Sequence, residues 1–171
     1  MEETSAKIVA AESINWKDVY DHLLPRVFHF FFYKVGDKLI AEELTSITFE
    51  KAWTNRENYK RDVSGFQFWI FGIAQKVAVD YFRRGRHEVP IDSVDVRSTQ
   101  NVEKEVEAKA ESERLASILP ILSERERLLV SLKYGAELNN REIARQTGLS
   151  ESNVGTILLR AVKKLREEWE R

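Results

Sequence analysis

The sequence has no cysteine, so disulfides and thiolate metal sites are excluded. With only 7 glycines and 3 prolines in 171 residues, it has few places for tight turns, and a mainly helical chain is expected. No apolar run approaches the ~20 residues that span a bilayer. The opening residues, which include Glu2 and Glu3, lack the basic-then-apolar pattern of an export signal. The expectation is a cytoplasmic protein with no membrane insertion. Glycine-rich phosphate loops and nucleophile motifs are missing. The three histidines, His22, His29 and His87, are scattered without metal-ligand spacing to carboxylates. Neither an enzyme nor a bound metal or cofactor is therefore expected. What is present, 43% hydrophobic and 32% charged residues, is the composition of an ordinary globular protein.

A formal net charge of −1 gives no hint of an anionic partner, but the charge is sorted along the chain. Residues 88–113 hold eight acidic side chains against Arg97, Lys104 and Lys109, include Pro90, and offer little to bury. They read as a solvated acidic tether, with a short helix from Glu103 onward. Just before it, Lys76, Arg83, Arg84 and Arg86 face the single acid Asp80. Basic residues also finish helices for dipole reasons, so this cluster alone does not specify a ligand. On both sides of the tether, apolar residues recur at helical spacing. The expected architecture is all-α: a helical domain over 13–87, an acidic flexible linker over 88–112, and a second helical domain over 113–171.

The second domain carries two cap signals. Ser123 with Glu126, and Asn139 with Glu142, have the spacing of capping boxes. The first opens a helix that stops near Gly135; the second opens a short helix, Asn140 to Thr147, closed by Gly148. Leu149 then plugs the core and Ser150 caps a longer helix, Glu151 to Trp169. A short helix, a glycine-containing turn and a longer helix make a helix-turn-helix. At 100° per residue, Val154, Leu158, Ala161, Val162, Leu165 and Trp169 share the inner side of the last helix. Ser152, Asn153, Thr156, Leu159, Arg160 and Lys163 fall on the outer side. Hydroxyl, amide and cationic groups in such a place suit base edges in a major groove and the flanking phosphates. The plain alternative is a solvated face of a three-helix bundle.

Three blocks bear a more specific pattern. Ala41-Glu-Glu-Leu-Thr-Ser-Ile-Thr-Phe-Glu-Lys-Ala-Trp53 resembles region 2.2 of bacterial sigma factors. Phe66 to Arg84 (FQFWIFGIAQKVAVDYFRR) resembles regions 2.3 to 2.4. Leu119-Pro-Ile-Leu-Ser-Glu-Arg-Glu126, Asn140-Arg-Glu-Ile-Ala144 and Arg160-Ala-Val-Lys-Lys-Leu-Arg166 resemble region 4. Their order, with no room for a region 3 domain, is similar to the extracytoplasmic-function group of the sigma-70 family. The resemblance implies a sigma region 2 bundle and a sigma region 4 helix-turn-helix. It also implies binding to core RNA polymerase through the β′ coiled coil and the β subunit, and promoter DNA as the second partner. An anti-sigma protein is a further partner that the family admits.

On the helix around residue 44, Ala41, Leu44, Thr48 and Ala52 project inward. Leu39, Glu43, Ser46, Ile47 and Glu50 supply the acidic and apolar stripe that the resemblance assigns to polymerase docking. In the helix after Gly65, Phe66, Ile70, Ile73, Val77 and Tyr81 form the expected buried stripe. Lys76, Asp80, Arg83 and His87 line another face. Trp69 lies at its edge, where core packing is the competing role. Cations beside an aromatic suit single-stranded DNA, because phosphates follow the cations and bases stack on rings. By analogy with the family, the polar loop ahead of this helix receives a base flipped out of the −10 strand. Its candidates are Lys60, Arg61, Asp62 and Ser64, joined by Lys76 and Arg83; the outer residues of the last helix are the −35 candidates. Two rivals remain: a helix-turn-helix regulator that binds duplex DNA without polymerase, and a helical protein-interaction adapter.

Overall fold

The computed structural model describes residues 15–59, 65–85 and 102–171, with side chains from 104 in the last stretch. Among these residues the secondary structure is helical throughout: α1 (Trp16–Val35), α2 (Lys38–Thr54), α3 (Phe66–Arg84), α4 (Val102–Ile118), α5 (Glu124–Val130), α6 (Asn140–Thr147) and α7 (Glu151–Trp169). The helix anticipated from Glu103 is thus part of α4, which runs without a break across the 112/113 boundary. Its exposed residues 104–114 carry most of the described acid of the tether. The remaining tether residues lie outside the described ones.

Local chemistry sets the ends of these helices. Asn15 opens α1 by accepting from the amides of Lys17 and Asp18. Gly36, at φ 71°, closes it with its N–H on the Phe32 carbonyl. Asp37 opens α2 through the Ile40 amide, at 3.0 Å. The anticipated inner face of α2 is buried as expected: Ala41, Leu44, Thr48 and Ala52, joined by Thr45. The hydroxyls of Thr45 and Thr48 donate to the carbonyls of Ala41 and Leu44, so burying them leaves no polar group unpaired.

The expected stripe on α3 needs correction. Ile70 and Val77 are buried, but with Phe71, Ala74 and Ala78; Phe66, Ile73 and Tyr81 are only half-buried. The cause is the packing of α3 on two sides. One side meets α2, whereas Phe71 turns towards Phe30 of α1, with ring centroids 6.0 Å apart. The buried arc is therefore broader and rotated relative to a single 3.6-residue stripe.

The two halves of the chain share one hydrophobic core. After α5 the chain widens into a π-type turn over Ser131–Gly135, closed by the Ala136 amide on the Ser131 carbonyl. This turn lies flat on α1. A Cβ at Gly135 would sit 2.6 Å from the backbone nitrogen of Phe30 and 2.7 Å from its Cα. Only glycine permits that approach. Beside it, the buried Arg26 donates through Nε and Nη2 to the Ala136 carbonyl, at 2.8 and 2.6 Å, and through Nη1 to Gln67, at 3.0 Å. Gln67 passes the link on to Glu142 at 2.8 Å. Burial pulls the Arg26 pKa down, and Glu137 and Glu142 oppose that pull. Farther along α1, Arg127 donates to the Tyr33 carbonyl at 2.8 Å.

Candidate promoter and polymerase interfaces

The helix-turn-helix is held rigidly from within. Both capping boxes form: the Ser123 hydroxyl accepts from the Glu126 amide while Glu126 accepts from the Ser123 amide, and Asn139 and Glu142 repeat the exchange. Lys164 of α7 lies 2.8 Å from the Glu126 carboxylate and ties the start of α5 to the long helix. That hydrogen bond is the main reason the Glu126 carboxyl titrates below the usual glutamate range. Gly148, at φ 75°, turns the chain out of α6, and Ser150 accepts from the Asn153 amide to start α7.

Fixed in this way, α7 presents its two faces as the periodicity foretells. Val154, Leu158 and Ala161 are buried, with Val162, Leu165 and Trp169 half-buried behind them. Ser152, Asn153, Thr156, Leu159, Arg160 and Lys163 are all exposed. Lys163 has only a loose partner, Glu167 at 3.9 Å. The six −35 candidates therefore form one continuous solvent-facing surface.

On the first domain, Leu39, Glu43, Ser46 and Glu50 are exposed along α2, and Ile47 is half-buried beside them. Leu39 retains 48% of its surface, a large apolar side chain left in water. Lys38 pairs with Glu42 and not with Glu43, so neither Glu43 nor Glu50 has an ion-pair partner among the described residues.

The −10 candidates divide. Lys76 is exposed on α3. Arg83 is exposed too, but is held 3.0 Å from Asp80 and is not a free cation. Lys60, Arg61, Asp62 and Ser64 lie outside the described residues. Flanking them is an aromatic cluster that sequence reasoning missed, apart from Trp69. Tyr59 and Phe66, on either side of this stretch of sequence, meet edge to face with centroids 5.1 Å apart. Trp69 packs against both, and Trp16 bridges Phe66 to Trp53. Trp69 thus takes the packing role, although it is only half-buried. The half-exposed Trp53 lies under the Arg56 guanidinium, 4.2 Å from the ring centroid. The overlooked signal was the placing of Tyr59 and Phe66 on either side of a polar loop.

Comparison with known proteins then decides the family. Residues 19–88 match sigma-70 region 2, and residues 112–165 match sigma-70 region 4. The chain is an extracytoplasmic-function sigma factor. It is 29% identical over 159 residues to the sigma factor SigM of Bacillus subtilis, covering 90% of this chain and 94% of that one. It is 28% identical over 169 residues to BldN of Streptomyces coelicolor, covering 96% of this chain and 64% of the longer relative. The fold is similar to that of the sigma factor RpoE in its complex with the anti-sigma factor NepR from Bartonella quintana. There the TM-score is 0.68 at 18% identity, over 91% of this chain and 97% of that one. CnrH, solved with the cytosolic domain of CnrY, gives 0.64 at 20% identity, over 94% and 92%. Sigma factors are non-enzymatic subunits that direct RNA polymerase to promoters, and this sigma factor has no membrane-crossing helix among its described residues.

Proposed function

We propose that this sigma factor docks on core polymerase through the α2 stripe and reads the −35 duplex with the outer face of α7. In the same reading it captures the −10 strand with the 60–64 loop and the cations of α3. The observation that carries this is the continuous exposed outer face of α7 on a helix-turn-helix whose helices are each capped. Leu39, Glu43, Ser46, Ile47 and Glu50 supply apolar area and carboxylates for basic residues of the β′ coiled coil, and the β subunit is a further contact. Lys60, Arg61, Asp62, Ser64, Lys76 and Arg83 serve the −10 element. Ser152, Asn153, Thr156, Leu159, Arg160 and Lys163 serve the −35 element. The functional units are 13–87, the tether 88–112 and 113–171. The site of action is the cytoplasm, and the anti-sigma complex of the Bartonella relative supports an anti-sigma protein as a regulatory partner.

The distances require the seam on α1 to part during promoter binding. The names of the two elements place them about 25 base pairs apart, roughly 85 Å along B-DNA. A compact chain of this length is about 40 Å across. The stretch 86–101 adds at most about 55 Å when extended, enough to make up the difference. Splitting recognition between two tethered modules also makes binding depend on their correct spacing.

The test is transcription from a promoter library by purified core polymerase, with and without the protein, followed by sequencing of the start sites. New starts sharing −35 and −10 elements are expected. With active core from the native host, no new starts and no detectable complex would favour the regulator that binds duplex DNA alone.

A further inference from the structure

We propose that Leu159, with the methyl group of Thr156, reads the C5-methyl of a thymine in the −35 element. The inference rests on α7 being the −35 helix and goes beyond that reading by naming the chemical group read. Leu159 is 74% exposed, more than any other large apolar side chain among the described residues. It does not lie on a loop or a frayed end. It sits mid-helix, in the centre of the outer face, with Thr156 and Ser152 one and two turns before it and Lys163 one turn after it. A polar side chain would cost nothing there for folding.

Thr156 adds an independent observation. Its hydroxyl donates to the Ser152 carbonyl at 3.1 Å, so the one proton of the side chain is committed to its own helix. The methyl, beside an oxygen that can now only accept, remains for an outside contact. Residues three apart on a helix are neighbours, about 5–6 Å between Cβ atoms. Leu159 and Thr156 therefore form a small apolar island on a polar, cationic surface, with Arg160 and Lys163 at its border. In the major groove the thymine methyl is the one apolar feature among base edges that are otherwise donors and acceptors. An island flanked by cations that hold phosphates is complementary to that feature, and a polar residue at 159 would not discriminate thymine from cytosine in this way.

The probe is deoxyuridine, which removes only the methyl and keeps every base-edge hydrogen bond. The −35 duplex is first obtained by selection with the full-length protein and core polymerase, and each of its thymines is then replaced singly by deoxyuridine. Affinity is measured at fixed salt. Replacement at one or two adjacent positions is expected to weaken wild-type binding about three- to fourfold each, the effect of one buried methyl group. In Leu159→Ala the sensitivity of those positions should fall by more than half, while melting is unchanged because the side chain is already in water. Thr156→Ser should reduce the sensitivity and leave its helix hydrogen bond in place. An enriched element without thymine, uniform indifference to deoxyuridine, or sensitivity undiminished in Leu159→Ala overturns the proposal and leaves the sigma reading intact. If no −35 element is enriched at all, the reading of α7 and the proposal fall together.

Discussion

The second domain has two surfaces of opposite kind, the Ser131–Leu138 strip on α1 and the outer face of α7. In the first, Ser131, Leu132, Gly135, Ala136 and Leu138 are buried, and a backbone carbonyl is satisfied by a guanidinium from the other domain. In the second, six consecutive outward positions are exposed, with hydroxyls, an amide and cations in water. The seam is satisfied inside the molecule, whereas the α7 face, apart from the Thr156 hydroxyl on the Ser152 carbonyl and the loose Lys163–Glu167 pair, is left to water or to something outside. On the proposed reading, promoter recognition belongs to the second surface, whereas the first joins the two domains.

Two glycines put the contrast to its largest test. Both are helical or turn residues with ordinary negative φ, so alanine meets no local strain at either. At position 135 the new Cβ would lie within 2.8 Å of three backbone atoms of His29 and Phe30, which cannot rotate away. Gly135→Ala should cost about 2–3 kcal/mol by overpacking, or release the domains from each other. Calorimetry should show melting lowered by about 5–10 °C, or split into two transitions. Unchanged melting would mean that the turn backs away from α1 at no cost to packing. Next in size is Arg26→Met, which leaves the Ala136 carbonyl and Gln67 without their donor and should cost about 2 kcal/mol. Arg26→Lys should recover only part of this, because one ammonium cannot serve both acceptors with the geometry of the fork. Gly155→Ala has the opposite sign. Its Cβ would meet only the Asn140 side-chain nitrogen at 3.7 Å, so helix propensity should dominate and stability rise by about 0.5–1 kcal/mol.

The same contrast explains what the sequence made legible. α6 and α7 were readable to the residue because their signals are local: Asn139 with Glu142, Gly148, Ser150, and a 3.6-residue alternation. The α7 and α2 faces followed, since an outward side chain is the complement of an inward one. The seam was not readable. Gly135 looks like an ordinary helix stop, and nothing near it in sequence announces that the backbone of Phe30 lies against it. Arg26 lies in a run of apolar residues where a charge is unexpected, and its partners are 41 and 110 positions away. The broadened buried arc of α3 has the same origin, a second packing partner that one helix's periodicity cannot reveal. The exposure of Leu159 follows from the helical period, whereas the bond that commits the Thr156 hydroxyl proton to the Ser152 carbonyl has no signal in the sequence.

The smallest prediction concerns the clamp that keeps α7 aimed outward. Glu126 serves twice, as the acceptor that completes the Ser123 capping box and as the anion paired with Lys164. Its carboxyl titrates below the usual range in the folded protein, chiefly because Lys164 bonds the charged form. A group whose pKa is depressed on folding binds a proton more readily in the unfolded chain. Its stabilisation is therefore present above the unfolded value and is lost as pH falls through the folded one. Glu126→Gln preserves an acceptor for the Ser123 amide but removes the charge. At pH 7 the variant should be about 0.5–1 kcal/mol less stable than wild type, the scale of a partly exposed ion pair. Denaturant titrations repeated towards pH 3 should show that gap closing as wild-type Glu126 is neutralised. A gap that persists in acid would assign the contribution to cap geometry alone. In that case Lys164 would be a spectator, and the position of α7 would be fixed by its buried face.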